Sequence, residues 1–320
     1  MKYLGYSFLI SGLLVVAAWA RAQSGPENLI LAFTSLAPLD EAAEGHYEGW
    51  AIVDGAPVST GVFNVNDGGM PVELGGGGII DEFTASQDIS QATSIKISIE
   101  PPGDADPAPS GLIILDGEVA AHQASLAVSV PDREVIETMT TGAFILATPS
   151  DNDVDPDNDD QGIWFLTMPG PAAGFQNLPD IGPHWIYEGW VVDVSHPDGP
   201  VPYSTGTFAM AEGADSDAAG CLGGGPPFPG QDFTAFHCDA VLDLDSGNYV
   251  AVLSIEPVPD TGSGPFQLKP LAGAIPTDAL GMNNELQNQA AATFPTGVAF
   301  LSQVVATENA SWGAMKVRYQ

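Results

Sequence analysis

Basic side chains are almost missing from this chain. Lys and Arg number 7 among 320 residues, against 41 Asp and Glu, for a formal charge of −34 at pH 7. A field of that sign repels phosphodiester backbones and anionic lipid, so nucleic acid is excluded as a partner. Cysteine is equally scarce, with only Cys221 and Cys238. Two are too few for a disulfide-dense miniprotein, and they lack the Cys-x-x-Cys spacing of a zinc site even with His237 beside them. Long apolar runs stop after the first two dozen residues, so no integral membrane span is expected in the mature chain. Nucleophile and phosphate motifs are missing as well. There is no Gly-x-Ser-x-Gly elbow, and His46, His122, His184, His196 and His237 form no His-x-x-x-His pair. The glycine runs Gly75–Gly78 and Gly223–Gly225 lack the Lys-Ser/Thr of a phosphate loop. Enzymatic activity is not expected.

The opening MKYLGYSFLISGLLVVAAWARAQ has a positive start at Lys2, an apolar stretch and an Ala20-Arg21-Ala22 cleavage pattern. Residues 1–22 therefore read as a signal peptide and the rest as a secreted, periplasmic or cell-surface protein. In an oxidising compartment Cys221 and Cys238 are expected to form a disulfide. The acid excess suits a chain that lives in high salt or is bathed in divalent cations.

The chain repeats itself. Tyr47-Glu48-Gly49-Trp50 returns as Tyr187-Glu188-Gly189-Trp190, and Ser59-Thr60-Gly61 with Phe63 returns as Ser204-Thr205-Gly206 with Phe208. Asp-Phe-Thr-Ala at 232–235 answers Glu-Phe-Thr-Ala at 82–85. Ser98-Ile99-Glu100-Pro101 answers Ser254-Ile255-Glu256-Pro257, and Thr141-Gly142 answers Thr296-Gly297. Five landmarks in one order, at offsets of 140 to 156, mark an internal duplication. Each copy is written in short runs rich in Val, Ile and aromatics, such as NLILAF, TSIKISIE and AFILAT, with Asp-Gly and Pro-Pro punctuation between them. In TSIKISIE the alternation sets Ile95, Ile97 and Ile99 on one face and Lys96, Ser98 and Glu100 on a solvent face. Only Asp278–Phe294 has room for a short helix. The fold expected is all-β, with two tandem antiparallel β-sandwich-like domains: residues 23–150, an acidic linker 151–161, and residues 162–320.

YEGWAIVDGAPVSTGVF followed by SIEPPGDADPAPSGLIILDG resembles the extracytoplasmic domain of the anti-sigma-K factor family. That family carries an aromatic-x-x-Trp strand, an Asp-Gly-x-Pro hairpin, a Gly-x-Phe strand and a Glu-Pro-x-Gly loop before a final strand. The match runs from about Leu39 to Gly117 and, more loosely, from Leu178 to Gly273. The resemblance implies a β-domain fold. This chain has a signal peptide where the family has a cytoplasmic sigma-binding domain and a membrane helix, so sigma-factor binding does not carry over.

Alternation assigns Trp50, Trp190, Phe63 and Phe208 to the core of the two domains. Glu48 and Glu188 are expected at the strand rims as structural carboxylates, in preference to paired acids with Glu100 and Glu256. The run DNDVDPDNDD gathers hard oxygens at Asp151, Asp153, Asp155, Asp157 and Asp159, which makes these the candidate calcium ligands; calcium is the one cofactor suggested. The function expected is a non-catalytic exported interaction protein that meets another cell-surface or extracellular molecule, or itself in an assembly. A structural subunit of a surface layer or filament is the alternative, and an unrecognised secreted hydrolase the second alternative.

Overall fold

A computed structural model describes residues 27–149, 156–220, 223–234 and 240–303. The signal-peptide stretch, Cys221, Cys238, Asp151, Asp153 and Asp155 lie outside the described residues. Among the described residues no helix is long and apolar enough to cross a membrane.

The protein is all-β, with two large antiparallel sheets and two helices of one or two turns. The strands of the first half are β1 (Glu27–Thr34), β2 (His46–Val53), β3 (Ala56–Val65), β4 (Pro71–Val72), β5 (Phe83–Thr84), β6 (Ser94–Glu100), β7 (Ile113–Ala120) and β8 (Gln123–Val128). Helix α1 (Arg133–Thr138) leads to β9 (Gly142–Leu146), β10 (Gly162–Trp164) and a small ribbon of β11 (Leu166–Thr167) and β12 (Ala172–Ala173). Then follow β13 (Trp185–Asp193), β14 (Val201–Phe208), β15 (Gly230–Asp232), β16 (Tyr249–Pro257), β17 (Leu268–Ala274) and β18 (Asn284–Asn288). Helix α2 (Ala290–Thr293) precedes β19 (Thr296–Gln303), so the stretch 278–294 holds a strand as well as its short helix.

The sheet orders are β4-β3-β2-β6-β7-β8-β19-β1-β5 and β14-β13-β16-β17-β18-β9-β10-β15. Laid side by side, they correspond strand for strand after β4. Each sheet curls until its two ends approach, β5 reaching β3 and β15 reaching β14. The duplication thus has a structural counterpart, with one twist of topology. The last strand of each repeat sits in the other repeat's sheet: β9 pairs with β18 and β10, while β19 pairs with β8 and β1. A boundary at 150–162 therefore does not separate the sheets. The second sheet is one continuous stretch, 142–288, inserted into the first, which is completed by 296–303. The two crossovers run side by side, α1 against α2. Asn288 Nδ2 ties them by donating to the carbonyls of Ile136 at 2.7 Å and Thr140 at 2.9 Å. Most buried apolar side chains of both units form one connected core, and Trp164, Leu166 and Ala219 form a small separate cluster.

The recurring phrase builds the wall of each unit. Trp50 and Trp190 are buried, and each indole Nε1 donates to a serine hydroxyl on the next strand, Ser98 and Ser254, at 2.8 Å. Phe63 stacks on Phe33 and packs at a tilt on Tyr47, with centroids 5.6 Å away in both cases, and Phe208 packs on Tyr187 at 5.9 Å and Phe175 at 5.5 Å. Such aromatic clusters bury large area with defined geometry. The Ser-Thr-Gly triplet is a bulge: Gly49 faces Gly61 and Trp50 faces Ser59, which leaves Thr60 without an opposite residue. Gly61 has φ +131° and Gly206 φ +94°, conformations that an L side chain resists. The extra threonine folds over the glycine of the facing strand. A Cβ on Gly49 would lie 2.5 Å from Thr60 Oγ1, and one on Gly189 would lie 2.3 Å from Thr205 Oγ1.

Candidate functional site

The glutamates of the phrase stand on the same strands. Glu48 and Glu188 accept hydrogen bonds from Ser59 and Ser204, the serines of the bulge, rather than from backbone amides. Ser98 and Ser254 pass the indole bond on to Glu100 and Glu256. Each unit thus contains a Trp–Ser–Glu chain beside a Ser–Glu pair. Glu100 does not face solvent as simple alternation implies; it is 1% exposed, as is Glu256. The loop after each strand folds back to cover it, and its amides donate to the carboxylate. Ser110 N lies 2.9 and 3.1 Å from the two Glu100 oxygens, and Phe266 N lies 2.9 Å from Glu256 Oε1.

Burial dominates the electrostatics. It pushes the Glu188 carboxyl up to about 8, with Glu256 and Asp260 nearby adding to the rise and the Ser204 bond opposing it. Glu256 is raised to about 7 by the same desolvation, and Glu48 is raised in the same direction. Lys269 is lowered, again chiefly by burial, while Glu256 pulls it the other way.

The two covering loops meet at the junction of the units and enclose a cavity of about 210 Å³. Ile99, Pro101, Ser110 and Leu112 line it from the first unit, and Glu256, Pro257, Val258 and Phe266 from the second. Several pairs are equivalent in the repeat: Pro101 with Pro257, and Ser110 with Phe266. His184 and Asp260 complete the polar end. The His184 ring presses on Gly111, where a Cβ would come within 2.1 Å of Cε1. Gln267 braces the junction, its Oε1 accepting from Ala37 N at 2.9 Å and its Nε2 donating to Tyr47 Oη at 2.8 Å. Ser110, beside His184, is committed elsewhere: its hydroxyl donates to the Ile99 carbonyl at 2.7 Å.

One oxygen from each of Glu188, Glu256 and Asp260 lies within 4.8 Å of the others. Asp260 was not singled out by the sequence. Its only signal is that Glu-Pro-x-x-Asp occurs in both copies, as Glu100-Pro101-Pro102-Gly103-Asp104 and Glu256-Pro257-Val258-Pro259-Asp260. Of the aspartates proposed for calcium, Asp151, Asp153, Asp155 and the Asp157 side chain lie outside the described residues, and Asp159 is exposed. Its neighbour Asp160 is brought near Asp243 and Asp245 instead.

Comparison with known proteins finds no matching family model, no matching curated protein and no matching solved structure.

Proposed function

We propose that the chain is a non-catalytic, exported binding protein whose two anti-sigma-K-like β units hold an apolar anchor of an extracellular partner between them. The observation that carries this is the junction cavity, whose walls come from equivalent loops of both units, so that neither unit alone contains it. Its volume of about 210 Å³ is below the roughly 300–1,000 Å³ of sites that engulf whole small molecules. It suits one large apolar side chain of a partner, the kind of buried anchor that dominates interface energetics. The net charge of −34 favours an anchor flanked by basic groups and accelerates its encounter at low salt. Ser110 has its proton tied to a carbonyl, which supports binding over nucleophilic chemistry.

The test uses short peptides carrying one Leu or Phe between lysines, titrated by calorimetry and by NMR at two salt concentrations. Binding should shift resonances of Ile99, Leu112 and Phe266, weaken with salt, and be lost in Val258→Trp, which fills the cavity from an exposed position. Equal binding of peptides with Ala as the anchor, or binding indifferent to Val258→Trp, would refute the reading.

A further inference from the structure

Independently of what occupies the cavity, we propose that Glu188, Glu256 and Asp260 form a calcium site at its polar end. Three carboxylates, from β13, the end of β16 and the loop after it, bring one oxygen each within 4.8 Å of one another. An acidic cluster on a surface would be satisfied by water, but this one is anchored inside. Glu188 is 4% exposed; its Oε1 is taken by the Ser204 hydroxyl, and its Oε2 is sealed from solvent with no hydrogen-bond donor. The Asp260 carboxyl lies within hydrogen-bonding reach of Glu188, and a contact between two carboxyl groups needs a proton or a cation between them. Backbone amides aim the other two groups: Gly262 N holds Asp260 Oδ1 at 2.9 Å, and Phe266 N holds Glu256 Oε1 at 2.9 Å.

Lys269 is the near cation and acts on Glu256, yet no ion pair joins them among the described residues. A divalent ion answers all three at once. The donors are oxygen only, which selects a hard cation, and three carboxylates supply up to about six oxygens for calcium, with water for the rest. Magnesium demands a tighter octahedron and surrenders its waters reluctantly, so calcium is favoured. The equivalent trio of the first unit, Glu48, Glu100 and Asp104, does not close to the same distance. The loop differs there, with Pro102-Gly103 in place of Val258-Pro259. One site is therefore expected rather than two.

The test is terbium luminescence and calcium calorimetry on the full mature chain after chelator dialysis. Trp190 is the built-in sensitiser, because its Nε1 is 2.8 Å from Ser254 Oγ, which in turn donates to Glu256. Terbium should light up on indole excitation and be displaced by calcium. Asp260→Asn, at an exposed residue that leaves the core intact, should weaken the ion by about tenfold or more, as should Glu188→Gln. Asp104→Asn should change nothing. Terbium and calcium affinities unchanged in Asp260→Asn overturn the proposal. So does a loss seen only in an Asp153→Asn, Asp155→Asn double variant, which would assign the ion to the acidic run.

Discussion

Replacing Glu188 with Gln should stabilise this protein at alkaline pH and leave it unchanged at acid pH. The side chain is 4% exposed, its Oε2 has no donor, and two carboxylates stand beside it. Burial above all keeps it protonated up to about pH 8, whereas the same group in the unfolded chain releases its proton near 4.5. Between those values the folded state holds the extra proton, so stability is fully present below about pH 4.5 and declines as pH rises toward 8. At about 1.4 kcal/mol per pH unit, the interval amounts to at most about 5 kcal/mol. Gln keeps an oxygen for the Ser204 hydroxyl, turns the orphaned position into an N–H donor toward Asp260, and cannot ionise. Thermal melts of wild type and variant, in chelator at constant ionic strength, should coincide at pH 4.5. They should diverge until the variant melts roughly 10 °C higher at pH 8.5, at about 2–4 °C per kcal/mol for a chain of this size. Subtracting the two profiles removes the titrating groups that do not interact with Glu188. Parallel profiles, or a wild type that is the more stable at pH 8.5, would refute the reasoning.

The strands and the duplication could be read from the sequence because they are written in local terms: alternation, glycine punctuation and landmarks in one order. The Trp and Phe positions followed from the same alternation. What alternation cannot say is what covers a face. Glu100 points where the pattern puts it, but the loop through Ser110 folds over it and supplies its amides, a long-range event without a local signature. Asp260 escaped notice because an aspartate in a Pro-rich loop has the composition of any exposed turn. The strand exchange is hidden for a deeper reason. Thr141-Gly142-Ala-Phe-Ile-Leu and Thr296-Gly297-Val-Ala-Phe-Leu are alike in local pattern, so their sequences do not say which sheet each joins. Which sheet takes which strand is settled by the connections through α1 and α2.

Three further outcomes follow from the packing. Trp50→Ala should cost about 3–5 kcal/mol in urea unfolding, since it empties a buried site and removes the indole donor to Ser98; a loss under 1 kcal/mol would contradict the core position. Gly49→Ala should cost about 1–3 kcal/mol through the 2.5 Å approach to Thr60 Oγ1, and adding Thr60→Ala should restore most of it; no recovery in the double variant would mean that the clash lies elsewhere. The last concerns the exchanged strands. Residues 142–288 carry every strand of the second sheet, whereas residues 23–150 lack β19, the strand between β8 and β1. In that fragment an eight-residue gap would leave two strand edges open, with Leu29 losing its partner Leu301, and Leu31 and Ala124 losing Ala299. Open edges of that kind pair with whatever strand is available. A fragment spanning 140–290 should therefore give a cooperative melt as a monomer, while 23–150 should aggregate or dimerise. Supplying 296–303 as a peptide should rescue the first fragment, because the peptide completes the sheet. Two fragments that behave alike, or a monomeric 23–150 indifferent to the peptide, would show that β19 belongs with its own repeat in solution.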